Sequence, residues 1–154
     1  MMKSKRFEPI QEIAANSADQ LSRAMADAGL KVTDLERQLE QLQSYRDEYL
    51  RSTGPAAGTT DAVKLQNFST FMGRLGEALR QHLNNLDNAR VEYEKRRALW
   101  SEKRVEAESL SRVVDRLRKE EQHAADLREQ REGDDAALRV SMAARGETGN
   151  YSAD

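Results

Sequence analysis

LQNFSTFMGRLGEALRQHLNNLDNARVEYEKRRALWSEKRVEAESLSRVV, residues 65–114, is the stretch on which the fold turns. Taken at sevens from its first residue it yields Leu65, Met72, Leu79, Leu86, Tyr93, Trp100, Ala107 and Val114. The series three residues on yields Phe68, Leu75, His82, Ala89, Arg96, Lys103, Leu110 and, just beyond, Leu117. Steps alternating between three and four keep one stripe on one side of a helix and let it supercoil against a partner. No proline interrupts the stretch, so it predicts one long helix.

Composition points the same way. Of 154 residues only 38% are hydrophobic and 5% aromatic while 34% are charged, which suits exposed helices sharing a narrow seam better than a globule with a broad core. The lack of cysteine excludes disulfides and thiolate metal sites and fits a reducing compartment. No apolar run approaches the roughly 20 residues of a membrane span, so no direct lipid insertion is expected. A net charge of -2 gives no strong field for nucleic acid. The expectation is a soluble, cytoplasmic protein.

A second pair of heptad series precedes the first. Ala14, Leu21, Ala28, Leu35, Leu42 and Tyr49 run beside Gln11, Ala18, Met25, Val32, Leu39 and Arg46, and only Gln11 and Arg46 are polar. Pro9 suits the first turn of this helix, where a missing N–H costs nothing. Residues 1–8, with Lys3, Lys5 and Arg6, then read as a flexible, solvated terminus, a membrane- or nucleic-acid-binding arm being the alternative. Gly54 and Pro55 end the first helix, glycine by accepting a left-handed conformation, and Thr60 or Asp61 is placed to cap the second. The boundaries expected are helix 9–53, turn 54–60, helix 61–131 up to the breaker Gly133, and a short C-terminal helix with a disordered tail over 132–154.

Two seams joined by a short loop imply an all-α, antiparallel coiled-coil hairpin. Centring the turn near residue 57 sets Tyr49 against Leu65, Leu42 against Met72, Leu35 against Leu79, Val32 against His82, Leu21 against Tyr93 and Phe7 against Ala107. Leu35, Leu42, Leu65, Leu79, Leu86 and Trp100 anchor the seam, and His82 is a polar residue that fixes register. A slip of one heptad still sets apolar against apolar. The second helix outruns the first, leaving residues 107–131 as an overhang with Leu110, Val114 and Leu117 seeking a partner.

No catalytic constellation is visible. His82 and His123 lie far apart, and the acid pairs Glu120–Glu121 and Asp134–Asp135 have no cleft to perturb them. The run Lys95–Arg96–Arg97 sits among Glu92, Glu94 and Glu102, which reads as helical ion pairing rather than a nucleic-acid patch. The expectation is a non-enzyme without cofactor or metal. One local feature stands apart. Phe71 falls outside both series, and Gly73 and Gly76 flank Leu75 with little side chain, as at a docking spot. The alternative lays Phe71 along the hairpin flank near Tyr45.

Several pieces, in order, resemble a known family. They are Leu39-Glu40-Gln41-Leu42, Tyr45-Arg46-Asp47-Glu48-Tyr49, Asn67-Phe68 through Leu79 with Gln81-His82, and Leu99-Trp100-Ser101-Glu102-Lys103-Arg104. Leu127-Arg128-Glu129-Gln130-Arg131 and Met142-Ala143-Ala144-Arg145 follow. With this order and spacing the chain resembles the FliJ family of the flagellar type III export apparatus.

The resemblance implies a non-enzymatic stalk or adaptor. Members are antiparallel two-helix coiled coils that promote assembly and hydrolysis of the export ATPase FliI with its regulator FliH, bind the export-gate protein FlhA and escort export chaperones. It implies a cytoplasmic protein, monomeric when free, peripherally associated with the inner-membrane export apparatus. The family's gate contacts, a phenylalanine and a leucine four apart, fall on Phe71 and Leu75, while Gly73 and Gly76 depart from the helix formers expected there. Entry into an ATPase ring would use the overhang, whose basic residues Arg112, Arg116, Arg118, Lys119 and Arg128 are the candidate ring contacts. A dimeric coiled-coil scaffold and the equivalent stalk of a virulence secretion system are the alternative readings.

Overall fold

The structure is a computed structural model that describes residues 2–55, 58 and 61–149. Two helices account for almost all of them, α1 (Lys3–Thr53) and α2 (Ala62–Gly149), and among the described residues there is no strand. The chain folds back on itself as an all-α helical hairpin with the second helix longer, as the two heptad series require. Contacts divide it into a turn unit, Ala15–Val105, and a terminal unit, Met1–Ala14 with Glu106–Asp154.

In the turn unit the core is one aliphatic ladder. Leu39, Leu75, Leu79 and Leu86 are buried, with Val32, Leu35, Leu42, Phe71 and Met72 packed on them. Leu86, 2% exposed, is the most enclosed side chain. Every member of the four heptad series in this unit is buried or half-buried, including the polar Arg46, His82, Arg96 and Lys103. The anchors Leu65 and Trp100 are among the half-buried ones, and Arg104 lies over the Trp100 ring at 5.4 Å. The stems of long cations cover apolar surface while their charges stay wet. The basic run pairs along its own helix, Arg96 with Glu92 at 3.0 Å and Arg97 with Glu94 at 3.7 Å.

The register differs from the one expected. Tyr49, expected opposite Leu65, stacks on Phe68 and tilts against Phe71, and His82, expected opposite Val32, bonds the Leu35 carbonyl. Tyr93 lies against Gly29 rather than Leu21, so near that a Cβ on Gly29 would sit 3.3 Å from the ring. Periodicity alone permits several registers. The bulk of the aromatic rings and the single histidine–carbonyl bond select this one.

At the turn, the Gly54 N–H donates to the Leu50 carbonyl at 3.1 Å. Gly54 is not the left-handed residue. It is glycine because a Cβ there would meet the Leu50 oxygen at 2.3 Å. The left-handed position is Gly58, with φ of 83°, whose N–H donates to the Pro55 carbonyl. Asp61 caps α2 by accepting from the Val63 N–H at 3.0 Å. Thr60 lies outside the described residues.

Three boundaries need correction. The first helix starts at Lys3, not Pro9, and residues 2–8 are not a loose arm. Ser4 and Phe7 continue the two seams by one heptad, and Ser4 is only 3% exposed, so packing against α2 holds the extra turns despite a proline within the helix. The second helix passes through Gly133 to Gly149, absorbing the separate short helix expected after 132. An exposed helical glycine costs about 1 kcal/mol, which the neighbouring Ala136, Ala137, Leu138 and Arg139 offset. The tail expected from Gly146 is helical to Gly149, and residues 150–154 lie outside the described ones.

The third correction concerns the overhang. In the terminal unit Ser4 meets Glu121 and Glu8 meets Arg118, so α1 covers α2 well past Ala107. Val114 is 4% exposed, and Leu110, Val113 and Leu117 are half-buried. The apolar stripe therefore already has its partner. Only from residue 126 to 146 is every position of α2 exposed.

Candidate functional site

Two places carry chemistry beyond the shared seam. The first, in the turn unit, is a cluster of four rings built from both helices. Tyr45 and Tyr49, one helical turn apart on α1, stack at 6.4 Å, and Tyr49 stacks on Phe68 at 5.7 Å. Phe71 packs edge-on to Tyr45 at 6.3 Å and tilts against Tyr49 at 4.5 Å. Offset and edge-on contacts of this kind add about 0.5–1.5 kcal/mol per pair beyond area burial.

Phe71 is thus half-buried and lies along the flank beside Tyr45, the alternative placement, rather than standing free as a docking knob. Leu75 is 7% exposed and belongs to the core ladder. What the surface offers here is backbone. A Cβ added at Gly73 or Gly76 would meet nothing within 4 Å, so another chain can approach α2 closely beside the Phe71 edge. Between Leu79 and Leu86 along α2, the His82 Nε2 donates to the Leu35 carbonyl at 3.1 Å across the seam.

The second place is the polar clasp of the terminal unit. The Ser4 N–H and hydroxyl both donate to the Glu121 carboxylate, at 3.0 and 2.5 Å. Glu121 serves the first turn of α1 as a cap supplied from the other helix, where no acidic residue of α1 itself stands. The bond from the Ser4 hydroxyl, then that from its N–H, holds the Glu121 carboxyl below its ordinary pKa. Beside it Arg118 donates twice to one Glu8 oxygen, at 2.7 and 3.3 Å, and this bond raises the guanidinium pKa further.

Of the basic residues expected to face a ring, Arg118 is therefore already engaged within the chain. Arg112, Arg116, Lys119 and Arg128 are exposed on α2, with no ion pair to a described residue. The sequence reading does not single out Ser4 or Glu8, and its reading of Glu121 as one of an acid pair with nothing to perturb it is corrected by the Ser4 bonds. The signal was present, since Ser4 stands seven before Gln11 and Glu121 seven after Val114, both in series already counted. Among the described residues no three His, Asp or Glu side chains converge as a metal site.

A model of the flagellar FliJ protein family matches residues 2–146, nearly the whole of this hairpin. The chain belongs to the FliJ family. No curated protein and no solved structure matches it. Family membership makes it a helical component of flagellar protein export. Both the ring cluster and the polar clasp fall inside the matched residues, so the FliJ-family match spans the turn and terminal units alike. No described helix is long and apolar enough to cross a membrane.

Proposed function

We propose that this FliJ-family protein promotes the assembly and activity of the export ATPase FliI with its regulator FliH. In the same reading it links them to the gate protein FlhA and to export chaperones, at the cytoplasmic side of the inner-membrane export apparatus. The observation that carries this reading is the division of labour along one matched hairpin. The seam is filled from within the chain, while Arg112, Arg116 and Lys119 stand exposed and unpaired with described residues on the outer side of α2. Exposed cations of that kind form pairs worth roughly 0–1 kcal/mol each, suited to contacts that change during turnover.

The gate contact belongs to Phe71 and the open backbone at Gly73 and Gly76, with Leu75 acting from beneath as support. Stimulation of FliI by the intact protein, compared with the Arg112→Glu, Arg116→Glu, Lys119→Glu variant, tests the central claim. The variant is expected to keep its helix content and lose the stimulation. Full stimulation by it moves the ring contact elsewhere.

A further inference from the structure

The first turns of α1 present a face that the hairpin does not use. Ser4, Phe7, Gln11 and Ala14 point toward α2, as their burial shows. At 100° per residue, Lys5, Arg6, Pro9 and Ile13 fall on the side turned away, with Ile10 and Lys3 toward one edge of it and Met2 just before the helix. Met2, Ile10 and Ile13 are 53%, 51% and 69% exposed, a high value for isoleucine in particular. Lys5, Arg6 and, at the border of the face, Lys3 are exposed and make no ion pair with a described residue. Glu8 is held by Arg118, and Glu12 stands at the edge of the face on the Lys5 side.

We propose that this face of α1 docks on the surface of an anionic phospholipid bilayer, lying in the headgroup plane without spanning it. A helix with long cations beside large apolar side chains satisfies both layers it meets there, phosphates above and acyl chains below. A nucleic acid would take the cations and leave both isoleucines in water, so the mixture favours lipid. Pro9 fits an interfacial position as well. It leaves the Lys5 carbonyl without its helical N–H, which is tolerable among hydrated headgroups and costly in hydrocarbon. Three large apolar residues and three cations make a weak, reversible contact, one that a working export component is able to release. The inference does not rest on the ATPase reading and stands or falls separately.

Sedimentation of the full chain with vesicles tests it. Binding is expected to vesicles of phosphatidylcholine mixed with phosphatidylglycerol, to weaken with salt, and to be absent from phosphatidylcholine alone. The Lys3→Gln, Lys5→Gln, Arg6→Gln variant is expected to lose roughly 100-fold in partitioning, at the usual contribution per cation near such a surface. Ile10→Ser with Ile13→Ser is expected to weaken it too, with circular dichroism unchanged. Absence of binding to the mixed vesicles overturns the proposal. Unaltered partitioning of the neutralised variant overturns it as well, by moving the contact to the cations of α2. Binding of polyglutamate through the same residues, without vesicle binding, overturns it in favour of an acidic protein partner.

Discussion

The turn unit and the terminal unit close the same kind of seam with different balances of apolar and polar contact. In the turn unit, rings and leucines dominate, with Tyr49, Phe68 and Phe71 clustered and Leu75, Leu79 and Leu86 buried, and His82 adds one bond to the Leu35 carbonyl. In the terminal unit, the buried apolar residues are Ala14 and Val114, and a serine–carboxylate clasp and an arginine–glutamate pair join the helices. Apolar packing is non-directional and tolerates sliding, whereas a carboxylate that accepts two donors holds one register. Apolar burial is concentrated in the turn unit, and the terminal unit adds a directed polar clasp.

The strongest way to break that division is to truncate the best-buried residue. Leu86→Ala is expected to cost about 2–5 kcal/mol, the range for leucine in a closed core, read by urea denaturation. Val114→Ala in the terminal unit loses fewer methyl groups and is expected to cost about 2 kcal/mol. Equal losses at the two sites would show that the terminal unit is as apolar in its energetics as the turn.

The clasp comes next, and its signature is local. Glu121→Ala leaves the buried Ser4 donors unmet, so amide exchange in the first turns of α1 is expected to quicken while the turn unit keeps its protection. The same group sets an acid dependence. Its folded pKa lies below the ordinary carboxylate value, so its contribution is complete above that ordinary value and fades as pH falls through the lower folded one. Acid is therefore expected to loosen the first turns of α1 before the turn unit. Simultaneous loss of protection in both units on lowering pH would refute a separate clasp.

Smaller effects sharpen the picture. Gly73→Ala and Gly76→Ala enter open space and are expected to stabilise α2 by about 0.5–1 kcal/mol each through helix propensity. If the open backbone beside Phe71 serves the gate, both changes also weaken binding to FlhA, and unchanged binding removes these glycines from the contact. Gly29→Ala is more crowded, because Tyr93 must yield slightly, and its propensity gain is expected to be largely cancelled. Smallest of all is Arg118→Ala. The pair it breaks with Glu8 is exposed, so no measurable change in thermal midpoint is expected in high salt.

Much of the fold was legible in residue order. Every heptad position counted in α1 is buried or half-buried, from Gln11 to Tyr49, and so is every one in α2 from Leu65 to Leu117. A period of seven with apolar members has one physical outcome, a helix burying that stripe on a partner, so class and hairpin topology followed. The candidate site was less legible. Phe71 was marked because it left the series, yet its exposure depended on whether Tyr45 and Tyr49 reached it, which no spacing states. Ser4 was missed and Glu121 was read as an unperturbed surface acid because polar residues carry no period, although their heptad positions were available.

What residue order alone determined was which residues face inward, because that depends only on the angle each turn of helix adds. Where the helices begin and end, and which inward residue meets which, was decided by tertiary structure. Equivalent registers differ by a heptad and bury similar apolar area, so discrimination falls to shape and directed bonds. The rings at the turn, the His82 bond to Leu35 and the Glu121 cap on Ser4 supply them. The same packing drew residues 3–8 into α1 and covered Leu110, Val114 and Leu117, since a helix too short or too weak by itself persists where its buried face outweighs the ordering cost.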